Sequence, residues 1–484
     1  MKYYGVFLEG SKINQVLCAI LINIPVFSYG TCVGWMSPMS LLLQSDQSPR
    51  GTPLTDVELS WMAAVPYVVC VCFDFLMAEI SDKFGRKFAT IFMSCGNIAS
   101  WGLLLICTDF WALILARAII GISMAGSFVT CPMYTKEISD DSIRGSLGCL
   151  VILFQTSGNL FLYVIGDIFG YYTILWICIA IPAVHILLFL YMPESPSYLI
   201  KKKQNEKATK ALAWLKCKDE MDSDVTREVD LITKEQASDE KPNSFLLKTM
   251  LTDKLLRRVF TIAMVVTLAR EVCGAVPVLN FAGDIFAFAS SDSAVVFSPN
   301  QQAMILGAVQ VIGSVLASSV VEKTGRKSLL FISSLLSGLS MCALASWFLL
   351  RDFNIGAPSW IPLLTLCLCI FCDASGLQPI SVVLCGEICS YKYRSTVMAV
   401  TMATSSLADF VQLLLFKPLA NAIGIHVAFY FFGGICLLMA VYVIFQIPET
   451  KARSLEDIYR DLSKDAVKKA KEKEAEANTA AAVA

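Results

Sequence analysis

Along this chain the apolar residues run in long blocks, and the polar residues between them come in short clusters. Twelve blocks stand out, at approximately 13–36, 59–80, 88–106, 109–131, 147–168, 171–192, 258–288, 301–321, 328–350, 359–386, 395–418 and 424–447. Each holds roughly the 20 apolar residues that a helix needs to cross about 30 Å of hydrocarbon. The pattern predicts an all-α membrane protein of twelve transmembrane helices. It divides the 484 residues into a six-helix bundle at 1–192, a linker at 193–257, a second six-helix bundle at 258–447 and a tail at 448–484. Within the linker, "NEKATKALAWLK" interleaves apolar and charged residues at helical spacing, which predicts short surface helices. The tail "KDAVKKAKEKEAEANTAAAVA" has no core to join and reads as a fraying helix or disordered end.

Composition agrees, since 56% hydrophobic and 16% charged residues exclude an ordinary soluble domain. Charge then orients the spans. One set of connections carries Lys83, Arg86, Lys87, Lys136, Arg144, Lys323, Arg326, Lys327, Lys392, Arg394 and the lysine-rich segment after Pro193; the other carries only Arg50, Arg351 and Lys417. Basic short loops stay on the cytoplasmic side. Both termini are therefore expected in the cytoplasm, and the first span is expected to be retained rather than cleaved as a signal peptide.

The loops also repeat. "DKFGRK" at Asp82–Lys87 returns as "EKTGRK" at Glu322–Lys327; "EISDDSIR" at Glu137–Arg144 returns as "EICSYKYR" at Glu387–Arg394; "PESP" at Pro193 returns as "PETK" at Pro448. The three separations are 240, 250 and 255 residues, about half the chain, so the sequence encodes a duplicated six-helix unit. Parallel repeats of this kind describe a transporter architecture with its solute site at the midplane between the halves. Gly85 and Gly325 permit tight turns, and Arg86, Lys87, Arg326 and Lys327 stand ready to neutralise Glu137, Glu194, Glu387 and Glu449. With Asp82, Arg144, Glu322 and Arg394, these residues form a candidate cytoplasmic gate network, expected to latch the two halves together when the inner gate is shut.

Other chemistry is thin. Most of the eighteen cysteines lie inside spans, and Cys367, Cys369 and Cys372 sit in an apolar helix without a nearby histidine, which favours packing over metal binding. His185 and His426 fall in separate spans. No phosphate-binding loop or catalytic constellation is legible, so the sequence points away from an enzyme, a cofactor, ATP and nucleic acid, and towards a small solute and the lipid bilayer as partners.

Several of these residues carry a resemblance. "RAIIGISMAGSFVTCPMYTKEISDDSIRGSLG" at Arg117–Gly148, "PESPSYL" and "PETKARSLEDI" resemble signatures of the sugar porter family of the major facilitator superfamily, and the likeness extends from about Ser28 to Ile458. "SYGTCVGWMSP" at Ser28–Pro38 is similar to the branch containing the facilitated trehalose transporters. The resemblance implies the major facilitator fold and alternating access in the plasma membrane. It also implies where a sugar would sit, and there this chain departs from the pattern. Where the family has two glutamines, a glycine and an asparagine in the seventh span, this chain has Arg270, Glu271, Gly274 and Val276. Paired aromatics become Asn280 and Phe281, and the tryptophan of the tenth span becomes Val382. Gln155 stands near the fifth-span glutamine, Gln310 replaces an asparagine in the eighth span, and Asp409 replaces one in the eleventh.

Charges inside apolar spans cost about 2.5–3.5 kcal/mol each on insertion scales and normally find partners within the bundle. Arg270, Glu271, Asp74, Asp373 and Asp409 all need an account. Three stand open: a structural pair between Arg270 and Asp409, recognition of a charged or zwitterionic solute, and proton coupling through a carboxylate. Arg270 and Glu271 are not expected to pair, because adjacent helical residues project about 100° apart. Gly274 and Pro277 predict a break in the seventh span, a gate hinge. The expected function is a facilitative, alternating-access carrier of trehalose or a monosaccharide; the alternatives are a carrier of charged solutes, a proton symporter, or a non-transporting sensor.

Overall fold

The computed structural model describes residues 11–238, 250, 252–290, 297–353, 355, 358–389, 391–451, 453 and 456–462, without the side chains at 141, 235–238, 318, 322, 323, 391, 392, 394 and 395. The side chains of Glu322 and Arg394, and the tail beyond 462, lie outside the described residues.

Helices account for nearly everything described. The first set is α1 (Ile13–Ile22), α2 (Ile24–Leu43), α3 (Asp56–Phe84), α4 (Arg86–Ile106), α5 (Phe110–Ile138), α6 (Asp141–Gly148), α7 (Leu150–Ile168) and α8 (Tyr171–Phe189). Three short helices follow, α9 (Pro196–Lys201), α10 (Asn205–Leu215) and α11 (Ser223–Ser238), joined by a small core of Leu199, Ile200, Ala208 and Ala211. The second set is α12 (Lys254–Glu271), α13 (Ala275–Asn280), α14 (Ala282–Ser290), α15 (Pro299–Thr324), α16 (Arg326–Asp352), α17 (Ile361–Cys372), a π-helical turn at Asp373–Leu377, α18 (Gln378–Ile388), α19 (Tyr391–Ile423) and α20 (Ile425–Gln446). Among the described residues, eleven helical stretches are long and apolar enough to cross a membrane. The remaining place in the order is filled by α15, whose 26 residues span about 39 Å.

The two sets meet along three seams: α2 against α13 and α14, α3 against α19, and α7 against α15. Helices α3 and α15 both lead into a GRK turn, while α7 follows one Glu-to-Arg motif and α19 begins within the other. The α3–α19 and α15–α7 seams are therefore one contact generated twice, as a parallel repeat about an axis through the bundle requires.

Local chemistry explains how the first set stays together. Pro66 lies inside α3 and has no N–H, so the carbonyl of Met62 loses its helical donor. Arg117 of α5, only 2% exposed, supplies the replacement: its Nε donates to Met62 O at 2.9 Å and its Nη1 to Cys32 O of α2 at 2.7 Å. One guanidinium thus joins three helices where water cannot reach.

The seventh span is broken, as its sequence predicts, but the break lies earlier than Pro277. α12 stops at Glu271, and Gly274 adopts φ +88° before α13 begins. Pro277 falls in the first turn of α13, where its missing N–H disrupts no helical bond. A second interruption at Phe281 separates α13 from α14. A Cβ at Gly274 would lie 2.5 Å from the Phe432 ring. Gly274→Ala combines this clash with a left-handed backbone and is expected to cost about 1–3 kcal/mol, read as a lower unfolding temperature of the purified protein.

Candidate functional site

Midway along the interface, at the broken end of α12, most of the residues singled out in the sequence converge. Arg270 Nη1 donates to Glu271 Oε1 at 2.6 Å, and its Nε approaches Asp373 Oδ1 at 3.4 Å. The expected pair with Asp409 is not formed. Asp409 instead accepts from Gln412 Nε2 at 2.6 Å, and the same nitrogen reaches the Glu271 carbonyl at 3.2 Å. The neighbours Arg270 and Glu271 do pair, contrary to expectation, because α12 ends at Glu271 and the flexible arginine stem folds back along the helix terminus. Asp373 opens the π-helical turn of the tenth span, a widened geometry that recurs at functional positions. Glu271, Asp373 and Asp409 are 6%, 1% and 6% exposed.

The other candidates have fewer partners. Gln310 is held by Asn159 across the α7–α15 seam at 3.0 Å, a contact that neutralises an amide expected to face solute. Asn280 is fully buried and bonds Val276 O through Nδ2 at 2.9 Å. Gln155 and Val276 are half-buried, whereas Val382 is exposed. Asp74, half-buried, accepts from Cys70 Sγ at 3.4 Å. Cys369 packs against Ser337, and His185 against Ser94 and Phe189. Among the described residues no group of His, Cys, Asp and Glu is arranged to hold a metal ion.

At the end of the bundle bearing the GRK turns, each motif closes within its own set. Arg86 meets Glu137 at 2.9 Å and Asp82 at 3.0 Å; Asp82 also meets Lys201. Glu194 accepts from the backbone N–H groups of Arg86 and Lys87 at 3.1 and 3.2 Å, capping the start of α4, while Lys87 Nζ donates to Leu190 O and Met192 O at the end of α8. The second set repeats this. Arg326 meets Glu387 at 2.8 Å, Glu449 caps α16 through the N–H groups of Arg326 and Lys327, and Lys327 Nζ bonds Ile444 O of α20. Gly85 and Gly325, at φ +105° and +90°, leave the space those carboxylates occupy; a Cβ would lie 2.3 Å from Glu194 and 3.0 Å from Glu449. Arg144 bonds Ser139 O in its own set. In this conformation the contacts of Arg86 with Glu137, of Arg326 with Glu387 and of the two carboxylate caps form a staple within each half; the latch between halves is expected in the conformation with this end shut.

The opposite end is tied across the halves through Lys417, which the sequence pattern places among the loop charges. Lys417 of α19 contacts Asp284 of α14 at 2.7 Å, Asp56 of α3 at 3.5 Å and Gln44 after α2 at 3.2 Å, and lies 5.1 Å above the Phe281 ring. Ser40 bonds Asp284 at 2.9 Å, Asn421 bonds Asp56 at 2.8 Å, and Ser37 Oγ accepts from the N–H of Gly283 at 2.8 Å. The only available signal was a lysine and an aspartate each set inside a span rather than in a loop.

The fold and sequence have known counterparts. The profile of the family described as "Sugar (and other) transporter" matches residues 18–462. The chain belongs to this family. More narrowly it is a sugar porter of the major facilitator superfamily, and hence a multi-pass membrane protein. The facilitated trehalose transporter Tret1 of Aedes aegypti is 27% identical over 451 residues, covering 93% of this chain, which spans only 55% of that relative's length. The human solute carrier family 2, facilitated glucose transporter member 6, is 28% identical, covering 89% of this chain and 88% of its own. Among solved structures, the inward-open xylose transporter XylE from E. coli superposes with a TM-score of 0.73 at 20% identity, over 93% of this chain and 99% of that one.

The two caps differ electrostatically. Burial pushes the Glu194 carboxyl above its ordinary range despite the N–H groups of Ser195, Lys87 and Arg86. For Glu449 burial also pushes upward, but donations from Lys451, Arg326, Lys327 and Thr450 outweigh it and hold the carboxyl below that range. A depressed carboxyl stabilises the fold above its unfolded pKa and loses that stabilisation as pH falls through the folded value. A raised one has the opposite sign. Glu449→Gln is therefore expected to lower the melting temperature at pH 7, with a difference that closes under acid, and Glu194→Gln to be neutral or stabilising at pH 7.

Proposed function

We propose that this protein carries a sugar, trehalose or a monosaccharide, across the plasma membrane by alternating access, as a facilitative carrier with no catalytic step. One observation carries the reading beyond family membership: the halves are tied across their interface at one end, while the motifs at the other end close within each half. The interface is thereby built to part at one end at a time. The moving bodies are the bundles 1–192 and 258–447, with 193–257 between them and 448–484 as tail. The basic end and both termini face the cytoplasm, following the side preference of Lys and Arg. The residues around Arg270, with Gln155, Val276, Asn280, Gln310, Val382 and Asp409, line the solute's route. The staples around Arg86 and Arg326 keep each bundle rigid as it rocks, and the break at Gly274 lets the seventh span bend. The relatives' named sugars, trehalose and glucose, support the substrate class.

Labelled trehalose, glucose and fructose, tested beside amino acids and organic ions in cells expressing the protein, should show saturable uptake of at least one sugar and none of the others. No uptake or counterflow of any sugar, with the protein at the surface, overturns the reading.

Lys417 offers a second test. Removing one partner of a buried pair costs about 3–5 kcal/mol, and this cost falls on the outward-closed state. Lys417→Met should therefore raise labelling of Ser40→Cys by an externally added, membrane-impermeant thiol reagent, relative to Ser40→Cys with Lys417 intact, once the labelling of each background with Ser40 intact is subtracted. Unchanged labelling would show that Lys417 does not hold that end shut.

A further inference from the structure

At the end of the first bundle opposite the GRK turns, a cleft of about 500 Å³ opens where α3, α4 and α5 begin or end. Arg50 of the α2–α3 connection and Glu58 of the first turn of α3 line one wall; Cys107, Asp109, Phe110 and Trp111 line the other, where α4 passes into α5. Its charges are loosely held. Arg50 Nη1 stands 3.7 Å from Glu58 Oε1, well beyond the roughly 2.7–2.9 Å of a charge-assisted hydrogen bond. Asp109 takes the N-cap position of α5, where a carboxylate ordinarily accepts from the first N–H groups of the helix. It makes no such bond, and its Oδ2 accepts instead from the Cys107 thiol at 3.6 Å.

Apolar surface continues the cleft towards the bilayer. Ile106, Trp111 and Leu115 are 85%, 77% and 54% exposed, so in a membrane they meet acyl chains. A tryptophan at the end of a span sits at the level where indole rings meet lipid headgroups. The solute's route lies elsewhere. Asp56 reaches the Lys417 rim, and Glu58, two residues on, projects about 200° away from it. The cleft is thus on the flank of α3 turned away from the other half.

A ligand that fits these groups carries both signs and an apolar part. Arg50 suits an anionic group, Glu58 and Asp109 a cationic one, and the Trp111 face a cation stripped of water. We infer that the cleft binds the headgroup of a zwitterionic phospholipid of the outer leaflet, with the phosphate at Arg50 and the ammonium group among Glu58, Asp109 and Trp111. A lipid with the phosphate but no ammonium group meets two carboxylates and one cation, and is repelled. The inference requires only that the chain sits in a bilayer; it does not depend on which solute is carried.

Cys107 reports on the cleft directly, because its thiol adjoins Asp109. Purified full-length protein in detergent is treated with an uncharged, water-soluble maleimide, and the labelling rate is read by mass spectrometry of the peptide containing Cys107. Short-chain phosphatidylcholine, phosphatidylethanolamine and phosphatidylglycerol, matched in chain length, are added in turn. Phosphatidylcholine or phosphatidylethanolamine should slow labelling several-fold, whereas phosphatidylglycerol should leave it near the lipid-free rate. Protection by phosphatidylcholine alone places the ammonium group on the Trp111 face, and protection by phosphatidylethanolamine alone places it in hydrogen bonds to the carboxylates. Arg50→Gln and Trp111→Leu, each compared with its own lipid-free rate, should lose most of the protection. Equal protection by phosphatidylglycerol is mere shielding by acyl chains and overturns the proposal, as does labelling indifferent to all three lipids or protection undiminished in both variants. Slowing by glucose or trehalose without added lipid makes the cleft a sugar site and overturns it too. The comparison of lipids on the wild type decides the matter even if a variant fails to fold.

Discussion

Inside a bilayer there is no water to rescue an unpaired polar group, and this requirement that the protein supply every partner shapes the molecule at each level. It acts on the backbone, where Pro66 frees the carbonyl of Met62 and Arg117 must answer it. It acts on helix ends, where Glu194 and Glu449 receive the N–H groups that begin α4 and α16. It acts on side chains at the interface, where Lys417 gathers Asp284 and Asp56 from two other helices and Gln44 from just beyond the end of α2. In each case the same physics that forbids a loose end also specifies which helices lie side by side.

Much of this was legible in the sequence because the relevant signals are local. A span declares itself by twenty apolar residues, and the GRK turns declare the duplication by returning half a chain later. What was hidden is pairing at a distance. Arg270 and Asp373 were both conspicuous as charges in apolar runs, yet their partnership spans 103 positions and depends on the π-helical turn that widens the tenth span. The pairing within the staples was open for a related reason: when both halves carry the same acid and the same base, the letters do not say whether Arg86 meets Glu137 or Glu387. Distance and burial decide that, and they favour the partner in the same half. Lys417 escaped notice because a lone lysine near the end of a span resembles ordinary loop charge.

The interface thus combines two different kinds of contact. Its outer rim is polar and cross-linked, with a lysine at its hub. Its middle is acceptor-rich and negatively biased, with one arginine set against three carboxylates. Neutral amides, which could serve hydroxyl groups as donor and acceptor alike, survive here in Gln155, Gln310, Gln412 and Asn280, but Gln310, Gln412 and Asn280 are already engaged by protein groups. The substitution of charges for amides therefore changes both the polarity of the route and the number of groups free to grip a solute.

The staples bear on how the molecule is made. The first half's cap is complete once Glu194 has left the ribosome, 132 residues before Arg326 is synthesised. Because its partners all lie upstream, the amino-terminal bundle can close on itself in the membrane while the second is still being translated. The carboxyl-terminal bundle then needs Glu449, near its own far end, before α16 and α20 are fastened. Docking of the two along the Lys417 rim comes naturally last, between bodies already formed. A carrier whose halves must part and rejoin in every cycle is thus assembled in two separate acts of folding, and the contact that completes its biogenesis is the one its work repeatedly undoes.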